Sequence, residues 1–288
     1  MQSIEEKRVY GDRTGAVDAY VACSIGVVRV HVADDAVGEF SLRARCDPRD
    51  LASTADALAV ATDEDVRLLT LEEEDEAGSD DPAFVETGFG PAVAVGADGS
   101  DLLAAGETGR VARRRADTDD WGSLTDEPIA TIRAIDGNLV GTDDGVYRVH
   151  RDELDHAGLT DVRDVAAAGV PLAATVDGLY KLGNGWMAIR DGPFDVVASR
   201  SGDEYGRLER AHAVAGETVT AYDGEEWRTL ESPDGRIVDV AYGERTYAVT
   251  ADGTFLVASD DADGPAWRSQ SLGIDDVRAL ALAPARTA

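Results

Sequence analysis

The sequence predicts an all-β chain folded as a seven-bladed β-propeller with four strands in each blade. Three observations carry that prediction. A hairpin signal recurs seven times, a short apolar segment precedes most copies, and a large aromatic residue tends to follow. A unit repeated every few dozen residues marks a propeller or a solenoid, because one unit cannot bury its own apolar face.

Each hairpin reads as an apolar run, a tight turn and a second apolar run, the pattern of two antiparallel strands. The copies occupy 20–30, 58–69, 102–113, 139–149, 171–182, 211–222 and 246–257. Their turn markers are Gly26, Asp65, Gly109, Gly145, Gly178, Gly216 and Gly253, separated by 33 to 44 residues. That spacing accommodates one four-stranded blade per repeat.

The segments ahead of the hairpins read as innermost strands. They occupy 49–53, 91–99, 128–137, 161–169, 194–199, 236–243 and 275–284. Their phase is shifted: the first hairpin has no such segment before it, and the last segment has no hairpin after it. The C-terminal strand is therefore expected to pair with the N-terminal hairpin in one blade. That closure removes the open sheet edges an array would otherwise present, and it makes 1–288 a single domain.

Outer strands are marked by Trp121, Trp186, Trp227 and Trp267, each after a turn rich in Asp, Gly or Asn, with Phe40 and Phe84 as weaker copies. Residues spread around a ring in this way are expected to pack between blades rather than to form an aromatic cage. Residues 72–82 read as an acidic loop, and 151–157 (RDELDHA) as a single helical turn.

Composition narrows the function classes. There are 57 acidic residues against 27 basic ones, a net charge of −30, and only Lys7 and Lys181 are lysines. The acids are interleaved with apolar runs, which suits a folded protein in molar salt, where the Debye length falls to about 3 Å. A salt-accumulating halophile is the expected source. Nucleic acids and anionic membranes are disfavoured as partners, because both require basic patches. The densest basic run, Arg113 to Arg115, reads as a solvated strand edge. The N-terminus lacks an apolar signal core and no stretch reaches transmembrane length, so a cytoplasmic location is expected.

Cofactor and metal motifs are missing from the sequence. Cys23 and Cys46 lie in apolar strand contexts and match no zinc spacing, so both are expected to be reduced. His150 and His156, with Asp152 and Asp155, read as exposed loop residues, and His212 as a packed strand residue. No P-loop, dinucleotide fingerprint or nucleophile elbow occurs.

The candidate ligand-binding residues lie on the innermost strands. Asp50, Asp164 and Asp239 occur in DLA, DVA and DVA, and Arg133 and Arg278 take similar places in IRAI and VRAL. Innermost strands line a propeller's channel, so these five are expected to form a mixed-charge ring. It would hydrate the channel, pair internally, or take a small polar ligand or cation. Turns at Glu64-Asp65, Asp143-Asp144-Gly145, Asp177-Gly178 and Asp252-Gly253 would make an acidic rim, although Asp-Gly also simply suits tight hairpin turns.

The repeat Ser259, Asp261, Gly264, Trp267, with Asp223-Gly224 and Trp227 as a partial copy, resembles the Asp-box (BNR-like) propellers. The Asp-box implies a fold-stabilising turn rather than a catalytic site. Over its full length the chain also resembles an uncharacterised β-propeller family of halophilic archaea, which implies no activity. The arginine triad, Asp acid/base and Tyr/Glu pair of sialidases have no counterpart here. The expected function is a monomeric, non-enzymatic binding or scaffold module for an unknown protein or small polar ligand. The alternatives are a hydrolase or lyase acting on a polar or glycan-like substrate at the channel, or a cation-binding sensor.

Overall fold

The first and last described strands meet in one sheet. A computed structural model describes residues 16–71, 84–118, 120–129, 131–202, 206–231, 233–259 and 266–283. The innermost strand of blade 1 is C-terminal, Ala279–Leu282, and its other three strands are Ala16–Cys23, Gly26–Ala33 and Ala36–Ala44. The closing register is antiparallel, with Val21 opposite Leu280 and Tyr20 opposite Ala281. The other six sheets are four-stranded meanders, completing a seven-bladed propeller. Their innermost strands are Pro48–Ser53, Ala94–Asp98, Ile132–Asp136, Val162–Ala166, Val196–Ser201 and Ile237–Tyr242, for blades 2 to 7.

The second strand of each blade is covered on both faces by neighbouring blades. It therefore reads as an unbroken apolar run rather than an alternation. Leu139–Thr142 and Leu172–Thr175 are buried at every position. The core lies between blades: Tyr20 and Val27 of blade 1 pack with Leu58 and Leu69 of blade 2.

The tryptophans open or nearly open the outer strands and lean on the preceding blade. Trp186 Nε1 donates to Ala157 O at 2.9 Å, and Trp121 Nε1 donates to Thr87 Oγ1 at 3.1 Å. Phe84 packs beside the Leu58–Leu69 cluster. Phe40 behaves differently: it sits in mid-strand and is 45% exposed.

Two local expectations are corrected. Residues 151–157 form no helical turn. Arg151 adopts a left-handed φ of 57° in a tight turn, and Glu153–His156 is the outer strand of blade 4, with Glu153 opposite His150. Arg113 is no solvated edge: its guanidinium is largely buried and meets Asp98 at 2.6 Å. The whole 72–82 loop, and Asp261 and Gly264, lie outside the described residues.

Candidate functional site

The innermost strands surround a central channel of ≈ 420 Å³, and its lining includes all five predicted residues. The mixed ring does not pair internally, however. The aspartates bind backbone, and the arginines bind loops of the next blade.

The aspartates repeat one arrangement in three blades. Oδ1 accepts the next residue's N–H, and Oδ2 accepts an N–H from the innermost strand of the following blade. Asp50 bonds Leu51 N at 2.8 Å and Val95 N at 2.9 Å. Asp164 bonds Val165 N at 2.9 Å and Val197 N at 2.8 Å. Asp239 bonds Val240 N and Leu280 N, both at 2.7 Å. A short carboxylate is required because two backbone donors, on different strands, must be satisfied at once. Asp136 ties blade 4 to blade 5 in a related way, accepting Ala167 N at 2.6 Å.

The arginines occupy the position just before. In blades 2, 4 and 5 the register slips there, leaving Arg49, Arg133 and Arg163 as bulged residues. A bulge re-aims its side chain, and here it sends guanidiniums to the mouth of the channel. Arg133 donates to Val162 O of blade 5 at 3.1 Å. Arg163 pairs with Asp195 of blade 6, and Arg49 with Glu107 of blade 3. Arg278 of blade 1 meets Asp47 at 2.6 Å and Pro48 O at 3.0 Å, both on the way into blade 2. Arg133 and Arg278 thus match Arg49 and Arg163, one residue before the aspartate register.

These ties all lean the same way round the ring. Blades 3 and 6 lack the aspartate tie and are joined differently; in blade 6, Arg200, further along the innermost strand, donates to Gly243 O of blade 7 at 3.0 Å. Gly96 of blade 3 lies so close to blade 4 that a Cβ there would stand 2.4 Å from Ile135 Cγ2 and 2.9 Å from its carbonyl oxygen. In blade 6 the buried His212 Nδ1 lies 2.5 Å from Tyr242 Oη of blade 7.

The electrostatics follow from enclosure. The carboxylates of Asp50, Asp164 and Asp239 are half-buried and that of Asp136 is exposed, yet the ring surrounds them with protein. Burial, reinforced by mutual repulsion and opposed by the backbone N–H groups, pushes Asp50 and Asp239 up to about 7 and Asp164 up to about 8. Burial raises Asp136 as well. His212 is pushed down to about 4 by burial and then by Arg210. Among the described residues, no three His, Cys, Asp or Glu side chains are placed to share a metal ion.

The rim residues are built on a threonine. Thr142 Oγ1 donates to Gly145 O at 2.8 Å and accepts the N–H groups of Asp144 and Gly145. Thr62 and Thr175 repeat the pattern. Asp65 is no rim residue: it is buried, and its carboxylate accepts Val66, Gly88 and Gly90 N–H groups, each at 2.8 Å. Cys23 and Cys46 are free thiols.

Sequence reasoning missed Arg49, Arg163 and Asp136. The first two were readable as the Arg in RD-L and RD-V, preceding the aspartates. Asp136 carries no such signal, because it ties its junction from two residues further along.

The fold and channel define a closed β-propeller with a charged axial cavity. A family model matches residues 3–283, and the chain belongs to that family, described as the HVO_0234-like β-propellers. No curated protein matches the sequence. Among solved structures, the WD40 β-propeller domain of Doa1 is similar at a TM-score of 0.62 and 13% identity, over 81% of this chain and 86% of that one. At that identity the likeness shows the fold alone.

Proposed function

We propose that this chain is a non-enzymatic binding module: a rigid ring that presents loops to a protein partner or takes a small polar ligand. One observation carries the reading. The charged groups of the inner ring, which would be the natural catalytic candidates, are engaged in holding blade to blade, as in the paired N–H bonds of Asp50, Asp164 and Asp239. Groups fixed this way make a stiff frame, and stiff frames bind with little ordering penalty.

The net charge of −30 with two lysines supports a cytoplasm rich in salt as the setting, in a haloarchaeal source, with the chain as a monomer. Asp223 supports the Asp-box likeness: its Oδ1 accepts the N–H groups of Glu225 and Glu226, both at 3.0 Å, ahead of Trp227. That is a turn-stabilising role.

The test is purification of the tagged chain from its own host in molar salt, with mass spectrometry of the co-eluting protein. Because lysines are so scarce, contacts are best mapped with carboxyl-directed cross-linking. A stoichiometric partner supports the scaffold reading, and a partner-free chain that turns over a glycan refutes it. The hydrolase or lyase alternative draws on one observation: carboxyls held near neutral pKa suit general acid–base work.

A further inference from the structure

We propose that the central channel binds a small zwitterion, its anionic group on the guanidinium layer and its amine on the carboxylate layer. The proposal rests on the binding-module reading and gives that module a ligand class.

The two layers line a single cavity of ≈ 420 Å³. That volume holds a molecule of amino-acid scale with some water. The layers come from neighbouring positions on the same strands. Arg49 and Asp50 are adjacent, and Arg133 and Asp136 are three residues apart. At about 3.3 Å of rise per residue, the two charge layers are separated by roughly 3–10 Å along the axis. A short ω-amino acid spans that range.

Neither layer is saturated. A guanidinium carries five N–H donors and each carboxylate oxygen has two lone pairs. Arg133 donates one hydrogen bond, to Val162 O, and lies 3.6 Å from the Asp161 carboxylate, which leaves N–H donors over, and each Asp164 oxygen accepts one hydrogen bond. Asp50, Asp136, Asp164 and Asp239 form no ion pair among the described residues, and the nearby charges acting on them include one another. An incoming amine supplies the missing counter-charge. Selectivity comes from the opposite layer in each case. A lone anion meets the repulsion of the carboxylates, and a lone cation that of the guanidiniums. A ligand carrying both charges escapes both penalties.

The test is isothermal titration calorimetry on the full chain, at the lowest salt that keeps it folded. The probes are glycine, 4-aminobutyrate and 6-aminohexanoate, with butyrate and butylammonium as single-charge controls. At least one amino acid is expected to bind one per chain, and both controls at least about tenfold more weakly. Arg133→Gln and Asp136→Asn should each weaken the amino acid about tenfold; both residues also tie blade 4 to blade 5, so each variant is compared at a temperature where its melt shows it folded. The wild-type ligand series stands without either variant. No saturable binding by any amino acid, or equal binding of the controls, overturns the proposal. NMR of the recovered ligand separates the two readings: a chemically altered ligand refutes the non-catalytic module while leaving the zwitterion site standing.

Discussion

Replacing Asp164 with Asn should change the protein's stability by an amount, and in the end a sign, that depends on pH. Asp164 satisfies two backbone N–H groups, one on its own strand and one on blade 6. An Asn amide offers a single acceptor, so one N–H loses its partner and faces an NH₂ group. That change costs about 1–3 kcal/mol. The opposing effect comes from the buried charge. The carboxyl is pushed up to about 8 from an ordinary value of 3.8. Four units at 1.36 kcal/mol each set a ceiling of about 5 kcal/mol. Channel water and repulsion shared with the neighbouring carboxylates reduce this to roughly 2–3 kcal/mol. Because the folded-state pKa is raised, the folded chain holds the proton more tightly than the unfolded one. The resulting stability is complete below about pH 4 and is lost as pH rises toward about 8. Asn suffers no such loss. At about pH 5 the variant should be less stable by about 1–3 kcal/mol, and by about pH 9 the gap should close or reverse. Urea unfolding at both pH values and constant KCl, with m-values compared, measures this. An equal stability difference at both pH values would refute the argument.

Further expectations concern the frame. Deleting residues 275–288 removes the strand that closes blade 1, with the buried Leu280 and Val277 and the Arg278 ties. The summed loss exceeds about 5 kcal/mol, on the scale of a domain's whole stability, so the truncated chain should lose its cooperative melt; an unaltered melt would contradict the closure. Gly253 has a φ of +81°, and a Cβ there would lie 2.1 Å from Ile274 O, so Gly253→Ala should lower stability by more than about 1 kcal/mol in urea unfolding. Burial depresses His212 to about 4, so its contribution is present above about pH 6.5 and lost as pH falls toward 4. His212→Gln should therefore flatten the acid limb of a stability–pH curve, and an unchanged limb would count against that assignment. Moving from molar to dilute KCl should lower the melting temperature through unscreened repulsion among the surplus carboxylates.

What was legible in the sequence was what repeats. The hairpins, the innermost strands and the shifted phase of 275–284 led directly to the seven blades and the closing strand, because burial on both faces writes itself as an apolar run. Asp50, Asp164 and Asp239 were legible as a set for the same reason. Their role was not, since the N–H group each one binds on the next blade lies about thirty to forty-five residues away in sequence. The Arg133 register was misjudged by one residue because a bulge leaves no mark in a single strand. The stretch 151–157 has charged residues at helical spacing, but tertiary pairing with Gly145–His150 overrides that weak local preference. The threonine turns are visible as TDED, TDDG and TVDG, where the Asp-Gly pair is the stronger turn signal in two of the three.

The most direct test of the binding-module account is the light-scattering mass of the chain as it elutes from its own host in molar salt. The account predicts a discrete complex heavier than the 30.4 kDa chain by the mass of one partner, or a monomer that retains an unaltered small ligand. An isolated 30.4 kDa chain that binds nothing and converts a substrate would contradict it.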